Sequence, residues 1–201
     1  MPVSQLHPLA LGNEEKYWRE LWQVYGYGKH EVVLFRGYDQ EIPPRTKIVG
    51  VIINTIDDIM HGQQQGQAGM CRDVAAWAQS GDLQGLIKGL LEDGFDVYLT
   101  SDHGNMEAMG HGRPPNEGLF TEKAGQRNRI YQHFARTAGI EESHSVIKYP
   151  GTYLPKDYQY LLCDGYFSFE TAGVKSVCHG GMNIEEVIVP FIRVRDVKKS
   201  E

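Results

Sequence analysis

Between positions 47 and 100 the hydrophobic period changes twice, and this constrains the chain more than any other feature. Residues 47–54 form a short β-branched run of strand length. From Cys71 to Asp93 the apolar positions Val74, Trp77, Leu83, Leu86, Ile87, Leu90 and Leu91 recur every three or four residues, and Asp93-Gly94 supplies a stop. Residues 95–101 return to an apolar, strand-like run. A strand, a crossing helix and a second strand make a βαβ unit, which requires the two strands to run parallel. The expectation is an α/β chain with helices flanking its strands.

The flanking segments extend this pattern. Residues 14–25 place Tyr17, Trp18, Leu21, Trp22 and Tyr25 at helical spacing, an aromatic stripe that needs a surface to pack on. Residues 31–36 read as another strand, separated from 47–54 by the breaker Ile42-Pro43-Pro44. After Gly104 the periodicity dissolves into Gly110, Gly112, Pro114, Pro115, Gly118 and Gly125, which predicts a long loop beside a strand end. Beyond it the pattern predicts a helix over 128–138 and strands over 145–149, 158–163, 174–178 and 187–194, the last interrupted by Pro190. At 201 residues the chain is read as a single domain, 1–201.

Composition removes several function classes. No apolar stretch approaches the roughly 20 residues of a membrane span. A formal charge of -6 provides no global basic field for nucleic acid. Three cysteines, Cys71, Cys163 and Cys178, without CxxC spacing, point to a reducing compartment. The opening Met1-Pro2-Val3-Ser4-Gln5 shows no leader pattern, so the cytoplasm is expected.

Three groups of metal-ligand residues each sit just past an apolar run. They are Asp57 with His61, then Asp102 with His103 in Ser101-Asp102-His103-Gly104, then His179 in His179-Gly180-Gly181. Open α/β sheets place their chemistry at the carboxyl ends of strands, so parallel neighbouring runs would bring all three groups to one edge. Asp57 and His61, four apart, share a face if a helical turn begins there, and Asp58 competes with Asp57 at three apart. Carboxylate plus imidazole suits Zn²⁺, Mn²⁺ or Fe better than Ca²⁺. Each group has an ordinary alternative: a capping Asp near a polar His, a glycine turn at Gly104, and a turn before a capped helix start at Asn183-Ile184-Glu185-Glu186. The three in this order are more specific than any one.

Together, Asp57-x-x-x-His61, Thr100-Ser101-Asp102-His103-Gly104 and the distal His179 resemble the C-terminal half of the alkaline phosphatase superfamily. That superfamily includes sulfatases, nucleotide pyrophosphatases and cofactor-independent phosphoglycerate mutases. The ending from His179 through Gly180-Gly181-Met182-Asn183 and Glu185-Glu186 to Pro190 is most similar to the PglZ domain of bacterial phage-defence systems and some response regulators. The resemblance covers about residues 45–195. It implies a mixed, mostly parallel sheet flanked by helices and lacking the N-terminal half of the family fold. It further implies up to two divalent ions, Zn²⁺ first and Mn²⁺ second. Asp57, His61 and His179 would hold one, while Asp102 and His103 would hold part of the other.

The implied activity is phosphoester or phosphodiester hydrolysis on a nucleic-acid or nucleotide substrate, alongside other defence-system proteins and away from any membrane. Family members carry their Thr or Ser nucleophile far upstream. Here Asp39 is the sole upstream carboxylate candidate, and the isolated chain is expected to be inactive. Arg127 and Arg129, like Arg113, offer planar forks for substrate phosphate, against the ordinary reading of a solvated basic loop. Ser101 is a weak replacement nucleophile, His111 reads as a loop residue, and strand alternation turns Cys178 away from His179. The alternative to an enzyme is a non-enzymatic interaction module in a multi-protein assembly.

Overall fold

Trp18 sets the geometry of the first part of the chain. Its indole Nε1 donates to the Val33 carbonyl oxygen at 3.0 Å, which holds helix α1 (Glu14–Val24) against strand β1 (Val32–Arg36). In the neighbouring strand β2 (Ile48–Ile52), a Cβ on Gly50 would lie 2.6 Å from the Leu34 side chain and 2.9 Å from Trp18. Only glycine lets the aromatic stripe approach that closely. β1 and β2 pair in parallel, Val32 opposite Ile48 through Arg36 opposite Ile52. The computed structural model describes residues 14–39, 41–120, 125–133, 135–152 and 154–196. The N-terminal stretch read for a leader lies outside them, as does part of the loop after Gly104.

Two compact units are present, one of residues 1–56 with 153–155 and one of residues 57–152 with 156–201. Helix α2 (Thr55–Gly62) spans the division and carries Asp57 to Gly62 in the second unit. There follow α3 (Gly66–Gln79), α4 (Asp82–Glu92), β3 (Val97–Thr100), β4 (Met106–Gly110) and β5 (Asn128–Gln132). The chain continues through α5 (Ala138–Ser143), β6 (Val146–Tyr149), β7 (Tyr158–Cys163), β8 (Phe167–Ser168), β9 (Lys175–Cys178), α6 (Ile184–Val187) and β10 (Phe191–Val194). The architecture is mixed α/β, as expected.

The sheets differ from the mostly parallel arrangement. Among the described residues only β1 with β2 and β4 with β8 pair in parallel. β3 pairs antiparallel with β10, β4 with β9, and β7 with both β5 and β6, giving four small sheets. Within the first unit β2 pairs with β1, and within the second β3 pairs with a strand more than ninety positions later. Sequence adjacency and the crossover rule cannot foresee a distant strand that returns to pair from the other direction.

Four element predictions are corrected. The 71–93 helix is two helices, α3 and α4, divided at Ser80-Gly81 where Gly81 takes φ 95°; apolar periodicity runs through such a break unnoticed. The structureless stretch after Gly104 contains β4, whose Met106, Ala108 and Gly110 point inward. The 128–138 helix is replaced over Asn128–Gln132 by strand β5, with Arg129 and Tyr131 on the buried face and Arg127 buried just before it, and helix begins only at Ala138. The 187–194 strand begins only at Phe191, because Glu185 to Val187 belong to the turn of α6 and Pro190 cannot donate to a ladder.

Among the described residues, buried side chains of the second unit form two clusters. Met106, Ala108 and Cys178 join β4 to β9, so Cys178 faces the core. Tyr131, Ile140 and Leu161 join β5, α5 and β7, with Leu119 and Ala135 packed against them.

Candidate metal centre

Asp57, His103 and His179 come from three separate elements of the second unit, and one ligand atom from each lies within 4.8 Å of the others. Asp57 is in the first turn of α2, His103 follows β3, and His179 is the residue after β9. The two imidazoles are stacked, with ring centroids 4.0 Å apart and planes inclined by 12°. Nε2 of His179 lies 3.8 Å from Oδ1 of Asp57. That carboxylate oxygen is buried and has no hydrogen-bond partner. A buried, unpartnered carboxylate oxygen is costly unless a donor or a cation satisfies it.

The local hydrogen bonds leave ligand atoms available. Nδ1 of His103 lies 3.1 Å from the Gly104 carbonyl oxygen, so with its proton there the ring leaves Nε2 as the free lone pair. Burial pushes the His179 imidazole below its ordinary value, His103 adds to this, and Asp57 opposes it. A lowered value keeps the ring neutral, the form in which imidazole binds a metal. Three protein ligands of this type match the donor set of a Zn²⁺ site that keeps an open position. The residues present therefore fit a divalent ion.

The other sequence candidates stand around this trio. His61, one turn after Asp57, has its Nε2 3.4 Å from Oδ2 of Asp57, and its ring meets His179 edge-on at 5.9 Å. Asp102 has a 90% exposed side chain; its Oδ1 accepts from the His103 backbone N–H at 3.1 Å, and its Oδ2 lies 3.8 Å from His103 Nε2. Asp58 is exposed and outside the trio, so Asp57 is the residue that faces the imidazoles. Ser101 is exposed, and Asp39 belongs to the first unit. His111 is stacked on Phe167 at 4.8 Å, and Arg113 pairs with Glu170 at 2.8 Å.

Arg127 and Arg129 are held in the interior. The Arg127 side chain is fully buried; its Nε donates to Glu186 Oε1 at 2.8 Å, Nη2 to the Gly165 carbonyl at 2.9 Å and to Asn183 Oδ1 at 3.1 Å, and Nη1 to the Phe167 carbonyl. Arg129 is 5% exposed, donates to the Gly125 and Asn128 carbonyls, and lies 4.9 Å from the Phe169 ring centre. Neither presents a free fork to solvent. Sequence reasoning missed the partner, Glu186, although the Asn183-x-x-Glu186 capping spacing was visible.

A helix-borne carboxylate and two imidazoles that follow strands meet in an α/β unit, an arrangement consistent with the alkaline phosphatase-like, metal-using class that the motifs resemble. Residues 11–194 match the family model for the BREX system PglZ alkaline phosphatase-like domain, and the chain belongs to this PglZ family. The match begins well before position 45, where the motif-based resemblance begins. A comparison with curated proteins gives no match. The family implies divalent metal use and a place in a phage-defence system.

Proposed function

We propose that this chain is the ion-binding part of a phosphoester or phosphodiester hydrolase acting in phage defence, with Asp57, His103 and His179 as ligands of one divalent ion, Zn²⁺ before Mn²⁺. The convergence of these three ligand atoms around a buried, unpartnered Asp57 oxygen is the observation that carries the reading. A bound ion would supply charge to stabilise the oxygens of a phosphoryl centre. Asp57 brings negative charge, and His103 and His179 bring neutral nitrogen donors. His61 steadies the Asp57 carboxylate through its second oxygen. Asp102, beside His103, remains for a second ion in a complete family site. The hydroxyl nucleophile is assigned to no residue of this cluster, so the chain alone is expected to bind the ion without turnover. A nucleic acid or nucleotide is the substrate class, other defence proteins are the partners, and the cytoplasm is the setting.

The test is metal analysis of the purified chain and titration with Zn²⁺ and Co²⁺, the latter followed by its visible absorption. One ion per chain, lost in Asp57→Asn, supports the reading. No stoichiometric ion in the wild-type chain overturns it and favours the interaction module.

A further inference from the structure

Arg127 and Glu186 form a buried ion pair beside the ligand-bearing loops: the Glu186 carboxylate meets the loop after His179, and the Glu186 main chain meets the loop after His103. On the His179 side, Oε1 of Glu186 accepts from the Gly181 N–H at 2.8 Å, and Oε2 accepts from the Asn183 N–H at 3.1 Å. On the His103 side, the Glu186 carbonyl oxygen accepts from the Gly104 N–H at 2.8 Å. The same carboxylate is closed from behind by Arg127, with side-chain exposures of 0% and 1%. Asn128, next in the chain, donates from Nδ2 to the Gly180 carbonyl at 3.0 Å.

The glycines show how tightly these parts fit. Gly180 takes φ 100°, and a Cβ there would lie 2.5 Å from the Asn128 amide nitrogen. A Cβ on Gly181 would lie 2.6 Å from Glu186 Oε2 and 2.7 Å from Arg127 Nε and Nη2. A Cβ on Gly104 would run into the Glu185 carbonyl oxygen. Both ligand loops therefore close on residues 185 and 186 through glycine. A buried ion pair is weak evidence for stability, because desolvation offsets its attraction, but its geometry can specify an arrangement.

The geometry points to Glu186, backed by Arg127, as a positioning pair that sets the separation of His103 and His179 for ion binding. Neither residue is a ligand; Glu186 acts through the backbone of both loops, and Arg127 acts by holding the Glu186 carboxylate. This rests on the ion reading above, and the experiment separates the two. In the full chain, histidine ring signals are followed by NMR without metal, and Zn²⁺ affinity by calorimetry, for the wild type, Glu186→Gln and the control Glu107→Gln. Glu107 is a different kind of carboxylate, accepting from the Gln67 N–H at 3.2 Å at the start of α3 and pairing with Lys175 at 3.3 Å.

The expected result is a folded Glu186→Gln chain that loses the ring-stacking shifts of the two histidines and binds Zn²⁺ roughly 10–100-fold more weakly, the usual effect of removing outer-shell support. Glu107→Gln is expected to lose stability but keep the shifts and the affinity. Wild-type shifts and affinity in folded Glu186→Gln overturn the positioning role while the ion reading stands. Lost shifts in Glu186→Gln, with no Zn²⁺ binding by the wild type, overturn the ion reading and support the spacing role. If Glu186→Gln does not fold, the same criteria are read on the double variant Arg127→Met, Glu186→Gln, which leaves no unpaired buried charge.

Discussion

His103 and His179 lie face to face with ring centroids 4.0 Å apart, although they are seventy-six positions apart in the chain. Two neutral imidazoles can hold that contact; two imidazolium ions at this distance repel. With an Asp57 oxygen 3.8 Å from His179 Nε2, the pair is arranged to present lone pairs to one cation. Replacing His103 or His179 by Ala is expected to remove stoichiometric Zn²⁺ binding with little loss of helix and strand content. Calorimetry and far-UV circular dichroism check this, and a variant that binds as the wild type does would remove that residue from the ligand set.

Acidification should act on the same pair. Burial lowers the folded-state value of His179 from its ordinary 6.5, so between the two values the unfolded chain carries more protons. Stability from this residue is complete above about 6.5 and is lost as pH falls from there toward the folded-state value. Ion affinity falls in the same direction, because the ligand must be neutral. Urea unfolding at pH 7.5 and pH 5.5 should show a larger acid destabilisation for the wild type than for His179→Gln. Equal pH dependence in the two would show that His179 is not the group responsible.

Of the candidate ligands that follow apolar runs, Asp57, His103 and His179 come together, whereas Asp102, beside His103, stays exposed, because spacing in sequence does not tell which neighbour turns inward. The sheet was less legible, because pairing depends on strands that arrive from far along the chain, as β10 does at β3. Strand β5 was hidden for a different reason. Its inward face carries Arg129 and Tyr131, with Arg127 buried just before it, and arginine, ordinarily a surface residue, hides the alternation. The buried pairing of Arg127 with Glu186 is a tertiary fact, fifty-nine positions apart, that local spacing does not encode.

Glycine substitutions separate close approach from mere flexibility. A Cβ on Gly104 would press on the Glu185 carbonyl, so Gly104→Ala should destabilise by about 1–3 kcal/mol, the range for overpacking. In α4, a Cβ on Gly85 meets nothing within 4 Å. Gly85→Ala should therefore stabilise by up to about 1 kcal/mol through helix propensity. Urea midpoints at unchanged slope measure both, and a neutral Gly104→Ala would show that the loop can move away from α6.

Thiol chemistry reports on the core that supports β9. Burial pushes the Cys163 thiol up to about 12 and Cys178 up to about 11, and neither side chain is exposed, whereas Cys71 is. Thiolate is the reactive form, so at pH 8 one thiol should alkylate rapidly in the native chain and three after denaturation. Rapid native labelling of Cys178 would mean that the Met106–Ala108 cluster opens readily.

His61 distinguishes a ligand from a supporting residue. It shares a face of α2 with Asp57, yet its Nε2 lies 3.4 Å from the Asp57 oxygen that is not part of the closest approach to His179. The ion-ligand trio forms without it. His61→Ala should weaken Zn²⁺ binding by roughly 10–100-fold, as for other outer-shell partners, while His103→Ala abolishes it. Side-by-side Zn²⁺ titrations measure the difference. If His61→Ala instead abolishes binding and His103→Ala only weakens it, the first ion belongs to Asp57, His61 and His179, and His103 serves the second.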